Sequence, residues 1–153
     1  MKLSYSPLSP YVRKVRIAAY VLGLDNDIEC VDTNTMDARG PIRSINPLGK
    51  IPALDDCGKV VYDSRVIIEY LDAKAGGGKI IPVSAALRYE ILTNAALMEG
   101  MMDAAILIVY ESRMRPADKY SKEFVVYQNE KIQRGLESIS VRKIRYTNGI
   151  TPY

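Results

Sequence analysis

Apolar residues recur along this chain with two different periods, and the change of period divides it into a mixed first half and a helical second half. Met1 to Tyr5 is short and half-apolar, which predicts a strand. The segment Ser6-Pro7-Leu8-Ser9-Pro10 breaks it, with Ser9 suited to an N-cap and Pro10 to the first position of a helix. From Tyr11 to Leu22 the residues Val12, Val15, Ala18, Ala19 and Leu22 follow an i, i+3, i+4 pattern, so one face is buried. Arg13, Lys14 and Arg16 fall mostly on the other faces, and Gly23 closes the helix. Asp27 to Val31 predicts a second strand. The polar stretch 33–44, broken by Gly40 and Pro41, predicts a loop with one irregular helix.

The stretch Asn46 to Ser64, NPLGKIPALDDCGKVVYDS, reads as a loop followed by a hairpin. Strands are predicted over Ile51 to Leu54 and Lys59 to Tyr62, with the turn through Asp55, Asp56 and Gly58. Pro52 stands at a strand start, where it cannot donate to a central ladder, and Ile51-Pro52 is a candidate cis bond. That geometry turns the backbone of Ile51 outward as an edge on which a peptide can lie. Asp63 and Ser64 open a helix over Arg65 to Lys74, and its free N–H groups and dipole favour a carboxylate. Lys50 adds a cation. A plain hairpin leading into a capped helix accounts for the same residues. The order β-α-β-α-β-β-α, with a parallel first half and a closing hairpin, predicts an α/β layer built like thioredoxin over residues 1–78.

Gly76, Gly77 and Gly78 interrupt the chain, and the second half carries no strand signal. Helices are predicted over Ser84 to Arg113 and Ala117 to Ser138, separated at Arg115 and Pro116. The boundary between two domains is placed near residues 76–83, giving an all-α second domain over 83–153.

Composition removes several function classes. The 153 residues are 48% apolar and 25% charged, which describes a soluble globular protein, and the net charge of +3 is spread along the chain rather than gathered for nucleic acid. There is no histidine, so imidazole catalysis and the usual zinc sites are excluded. Cys30 and Cys57 are too few and too far apart for a redox pair or a metal cluster, and no metal site is expected. The N-terminus lacks the apolar core of a signal peptide, and the longest apolar run, Ala104 to Tyr110, is too short to span a bilayer. The expectation is a cytoplasmic protein away from membranes.

Ser9 is the first candidate for chemistry. At the start of a helix it lies beside free N–H groups and a positive dipole end, where an anion such as a thiolate is stabilised. Its hydroxyl can cap the helix, or donate to a bound sulfur and lower that thiol's pKa. Arg13, one turn on, either adds positive potential or is a solvated surface arginine. Tyr5 is a second possible donor, unless strand alternation turns it into the core.

Three motifs in order, SPLSPYVRKVRIAAYVLGL, NPLGKIPAL and Asp63-Ser64 followed by RVIIEYLD, resemble the cytosolic glutathione S-transferases, most closely the small bacterial members. The resemblance covers residues 1 to about 138. It implies a thioredoxin-like domain that binds glutathione and a helical domain that helps to hold the electrophile. Ser9 stands at the family's catalytic Ser or Cys position, in a motif that reads Ser9-Pro10-Tyr11-Val12 and so lacks both redox cysteines. The resemblance implies that Ile51, before Pro52, pairs through its backbone with the cysteinyl unit of glutathione. It implies further that Asp63 and Ser64 hold the γ-glutamyl end, and that Lys50 lies near the glycine carboxylate. Met98, Met101, Met102 and Tyr110 are candidates for the electrophile wall, since methionine adapts to varied ligands; at helical spacing they equally suit a core. A small hydrophobic electrophile and a homodimer are the partners implied.

The helical domain of this family normally continues with a buried central helix behind a Ser/Thr-x-x-Asp cap. Here the last residues, VRKIRYTNGITPY, are basic and carry neither, so the expectation is a shortened, incomplete helical domain with exposed apolar faces. Two functions compete: conjugation of glutathione to electrophiles, and a non-catalytic glutathione-binding or interaction module of the same fold. Thiol–disulfide exchange is disfavoured, because Ser9 offers no thiolate to form a mixed disulfide.

Overall fold

A computed structural model describes residues 1–141 of the chain. β1 (Lys2–Tyr5), α1 (Pro10–Leu22), β2 (Glu29–Asp32), α2 (Ile42–Ile45), β3 (Ala53–Asp56), β4 (Lys59–Tyr62) and α3 (Ser64–Lys74) are followed by two long helices, α4 (Ala85–Met114) and α5 (Lys122–Val141). The sheet has the order β2-β1-β3-β4. β1 runs parallel to β2, with Leu3 opposite Cys30, and antiparallel to β3, with Leu3 opposite Leu54. The predicted element order and thioredoxin-like layer are present. The core behind the sheet joins Leu3 and Leu54 to Val12, Val15 and Leu22 of α1 and to Ile67, Ile68 and Leu71 of α3. The α1 positions are those that its helical periodicity marked as one apolar face, and Ile67, Ile68 and Leu71 of α3 form a matching i, i+1, i+4 face.

Four boundaries differ from expectation for local reasons. β2 begins at Glu29 because Asp25–Asp27 form a 3-10 turn, closed by the Ile28 N–H on the carbonyl of Asp25 at 3.2 Å. β3 begins at Ala53, opposite Ser4, since Pro52 has no N–H to give to the ladder. Asp55 and Asp56 belong to β3, paired with Val60 and Lys59, despite the poor strand propensity of aspartate. The turn is thereby reduced to Cys57 and Gly58, with φ of 53° and 92°, and the Asp55 carboxylate accepts the Gly58 N–H at 2.7 Å. The fourth difference is in the last helix, which starts at Lys122 and not at Ala117. Ala117–Lys119 form a separate 3-10 turn, and Ser121 caps α5 by accepting the Phe124 N–H at 3.1 Å.

A buried carboxylate closes the segment after α3. Asp72, on the inner face of that helix, accepts backbone N–H groups from Gly78, Lys79 and Ile80 at 2.9–3.0 Å. It seats Ile80 and Ile81 in the core, while three glycines with positive φ make the turn.

The described residues divide into two compact units, 1–88 and from Tyr89 onward, a few residues beyond the predicted boundary. Arg88, in the first unit, forms an ion pair with Glu69 at 2.6 Å. In the second unit Gly135 of α5 lies against Met101 of α4. Buried Glu111 accepts from Arg115 Nε and from the N–H of Ser121, both at 2.9 Å, which fixes the connection between the two helices. α4 holds an 18-residue window with a mean hydropathy of 1.5, so by length and composition it could cross a membrane, which the reading of one short apolar run did not register. The expectations for the basic tail concern residues that, beyond Val141, lie outside the described ones.

Candidate functional site

The topology gathers three loops at one end of the sheet. Because β3 runs antiparallel to both β1 and β4, the end of β1, the start of β3 and the end of β4 are neighbours. The chain leaves β1 towards Ser9, enters β3 through Ile51 and Pro52, and leaves β4 through Asp63 into α3. Ser9, the Ile51-Pro52 bond and the Asp63–Ser64 helix start are thus placed together, although up to 55 residues separate them in sequence.

Ser9 is half-buried at the start of α1, and its Oγ accepts the Val12 N–H at 3.3 Å. Capping uses one acceptor lone pair of the hydroxyl. Its proton is not committed to any hydrogen bond among the described residues and remains to be donated. The two roles left open by the sequence are therefore compatible. Tyr5 is also half-buried; it packs on the edge of the core and carries the Arg16 guanidinium 5.6 Å from its ring centre.

The Ile51-Pro52 bond is cis. Ile51 lies outside the β1–β3 register, whose last pair is Ser4 with Ala53. The preceding loop is tied by Asn46, 2% exposed, which donates through Nδ2 to the carbonyl of Lys50 at 2.9 Å and accepts the Leu48 N–H at 3.0 Å. Lys50 itself is exposed. Asp63, with φ 69° and ψ 128°, is the N-cap of α3 and accepts the Arg65 N–H at 2.9 Å. The Arg65 guanidinium meets the same carboxylate through Nε at 3.0 Å and Nη2 at 2.9 Å, and this pairing holds the Asp63 carboxyl below the usual carboxylate range. Ser64 is buried as the first residue of α3.

Beside Ser9 an open depression of about 450 Å³ runs along α1, lined by Tyr5, Ser6, Pro7, Ser9, Arg13, Arg16, Ile17 and Tyr20. Sequence reasoning set Tyr5 and Arg13 near Ser9 but missed the rest of this face, as it missed Asn46 and the Arg65–Asp63 pair. The signal for the first was the spacing of positions 9, 13, 16–17 and 20, one stripe of a helix. On α4, Met98 and Met102 are half-buried and Tyr110 is 45% exposed. Met101, also half-buried, lies against Gly135 of α5.

The geometry has counterparts in known proteins. Residues 3–79 match the family described as glutathione S-transferase, N-terminal domain. The chain belongs to the glutathione S-transferase family. The GST-like protein YibF of Escherichia coli is 33% identical over 138 residues, which are 90% of this chain and 67% of YibF. The chain spans 40% of the length of a maize relative, glutathione S-transferase 3. Among solved structures, a glutathione S-transferase from Methylobacillus flagellatus with glutathione bound has a TM-score of 0.87 at 35% identity, over 99% of this chain and 76% of that one. A family member from Pseudomonas fluorescens, with S-(propanoic acid)-glutathione bound, has a TM-score of 0.81 at 40% identity, over 94% and 70% of the two chains. The fold is that of the transferases: a thioredoxin-like α/β domain followed by helices.

Proposed function

We propose that this chain binds glutathione at the loop end of its sheet and holds the thiol as a thiolate for attack on a small electrophile. The observation that carries the reading is the convergence of Ser9, Ile51-Pro52 and Asp63–Ser64 in a chain similar to transferases that bind glutathione or its carboxylate-bearing conjugate. The Ser9 hydroxyl donates to the sulfur and is itself unchanged in the reaction. The backbone of Ile51 pairs with the cysteinyl unit. Ser64 and the α3 N-terminus receive the γ-glutamyl carboxylate, Asp63 its ammonium group, and Lys50 the glycine carboxylate. Attack forms a carbon–sulfur bond, and the thiol proton leaves to solvent before it.

Thermal unfolding with and without millimolar glutathione tests this reading. A ligand bound only to the folded chain stabilises it by about 2.7 kcal/mol at a hundredfold excess over its Kd. A shift that shrinks in Ser64→Ala supports the site; a cooperative melt with no shift overturns it. Turnover of a chloronitroaromatic then separates a transferase from a module that binds glutathione without conjugating it.

A further inference from the structure

The depression beside Ser9 carries charges that the binding of glutathione does not use. Arg13 and Arg16 both line it, on the stripe of α1 that starts at Ser9 and continues to Ile17 and Tyr20. Neither arginine has an ion pair or a hydrogen bond to its guanidinium among the described residues; Arg16 only covers the Tyr5 ring. Among the described residues, no carboxylate lines the depression. Pro7, Ile17 and the rings of Tyr5 and Tyr20 supply apolar and aromatic walls between the cations. The N-terminal end of α1 adds its positive pole next to Ser9.

We propose that this surface selects electrophiles with an apolar or aryl body and an anionic substituent, and that Arg13 and Arg16 receive that anion. The proposal rests on the glutathione reading above and names the substrate class of the same site. Guanidinium groups suit a carboxylate because two parallel N–H donors match its two oxygens. The neighbouring rings and Ile17 hold the carbon skeleton against the helix. An activated aryl chloride bearing a carboxylate illustrates the reaction. The glutathione sulfur bonds to the ring carbon, chloride departs with the carbon–chlorine electron pair, and the thiol proton goes to solvent. The carboxylate takes no part in the bond changes and is held by the arginines throughout.

Equilibrium binding of two conjugates tests the proposal without depending on turnover: S-(4-carboxy-2-nitrophenyl)glutathione and the amide analogue S-(4-carbamoyl-2-nitrophenyl)glutathione. The carboxylate is expected to bind at least tenfold more tightly at low salt, and the ratio to fall as salt is added. Arg16→Gln and Arg13→Gln are each expected to lower the ratio, and Arg16→Glu to bring it below one. Both side chains are exposed, and an unchanged melting point shows that the variants fold. Equal affinities in the parent chain, or a preference that survives both substitutions, overturns the arginine assignment while leaving glutathione binding in place. Failure to bind glutathione and both conjugates overturns the glutathione reading, and the arginine assignment with it.

Discussion

At the scale of single residues, the side chains that matter carry two duties, and substitutions can separate them. Ser9 caps α1 and is proposed to donate to the glutathione sulfur. Ser9→Ala removes both, at about 1 kcal/mol of stability for the cap and on the order of a hundredfold in kcat for a donor aimed at an anion. Ser9→Asp keeps a good cap but offers no proton. It is expected to retain the melting temperature while the bound thiol's pKa, read from thiolate absorbance, rises above that in the parent chain. A thiol pKa unchanged in both variants would leave Ser9 as a cap alone. Asp56 is a second case. Its carboxylate accepts from Lys74 Nζ at 2.8 Å and from the Tyr70 hydroxyl at 2.7 Å, tying the hairpin to α3. The Lys74 and Tyr70 hydrogen bonds hold the Asp56 carboxyl low, and the same contacts push Lys74 and Tyr70 up. A depressed carboxylate stabilises the fold above its ordinary value of 3.8, and that contribution is lost as pH falls through the lower folded value. For Lys74 the stability is present below its ordinary 10.5 and is lost as pH rises through the higher folded value. Raised Tyr70 likewise loses its contribution as pH rises from its ordinary 10.0 through its folded value. Asp56→Asn is therefore expected to flatten both the acid and the alkaline limbs of a melting-temperature profile. Asp63, held low by Arg65, keeps part of the acid limb in place.

At the scale of elements, two contacts decide whether the helices sit where they do. Asp72 anchors the turn after α3 through three backbone N–H groups. Asp72→Ala leaves these donors unpaired in a buried place, at about 1–3 kcal/mol for each that cannot reach water, whereas Asp72→Asn keeps one acceptor and is expected to lose less in urea unfolding. Gly135→Ala sets two effects against each other. Alanine gains about 1 kcal/mol in helix propensity, but a Cβ there would lie 2.6 Å from Met101 Cγ, with Sδ closer still. Overpacking of this kind costs about 1–3 kcal/mol, so a net loss is expected, reversed when Met101→Ala is combined with it. Additive single and double variants would show that the two side chains do not meet. These elements also show how far the sequence could be read. α1 and the order of the elements follow from apolar spacing and its breaks, because a period of 3.6 or 2 records which face is buried, whereas the order of the strands within the sheet comes from pairings that no local pattern records. Asp55 and Asp56 in β3 did not follow, since their pairing with β4 overrides propensity. The Asp72 anchor was illegible because its three partners lie beyond the end of its own helix. Local motifs marked Ser9, Pro52 and Asp63, and one helical turn set Arg13 near Ser9; Arg16 and Tyr20 continue the same stripe, but the depression that they share with Tyr5, Ser6 and Pro7 needed the fold.

At the scale of the molecule, burial is distributed unevenly. Among the described residues, the large apolar cluster draws its members from residues 1–81, and every residue proposed to touch glutathione lies in that same stretch. Among the described residues, the second unit buries only isolated positions of α4 and α5. On α4 the residues Leu107, Tyr110 and Met114, spaced i, i+3, i+7, are 41%, 45% and 52% exposed. On α5 Val126, Tyr127 and Leu136 are each more than half exposed. Such a surface binds apolar dyes and associates when excluded salts such as sulfate strengthen burial. Leu107→Lys with Met114→Lys places two charges in the α4 stripe without touching the core cluster. The pair is expected to keep a cooperative melt and the glutathione-dependent shift, to lower anilinonaphthalene sulfonate fluorescence, and to raise the ammonium sulfate concentration at which the protein precipitates. Dye binding that is weak in the parent chain and unchanged in the variant would mean that the stripe is already covered in solution. In that event the elution volume on gel filtration should fall to that of an assembly, and the two lysines should restore the monomer.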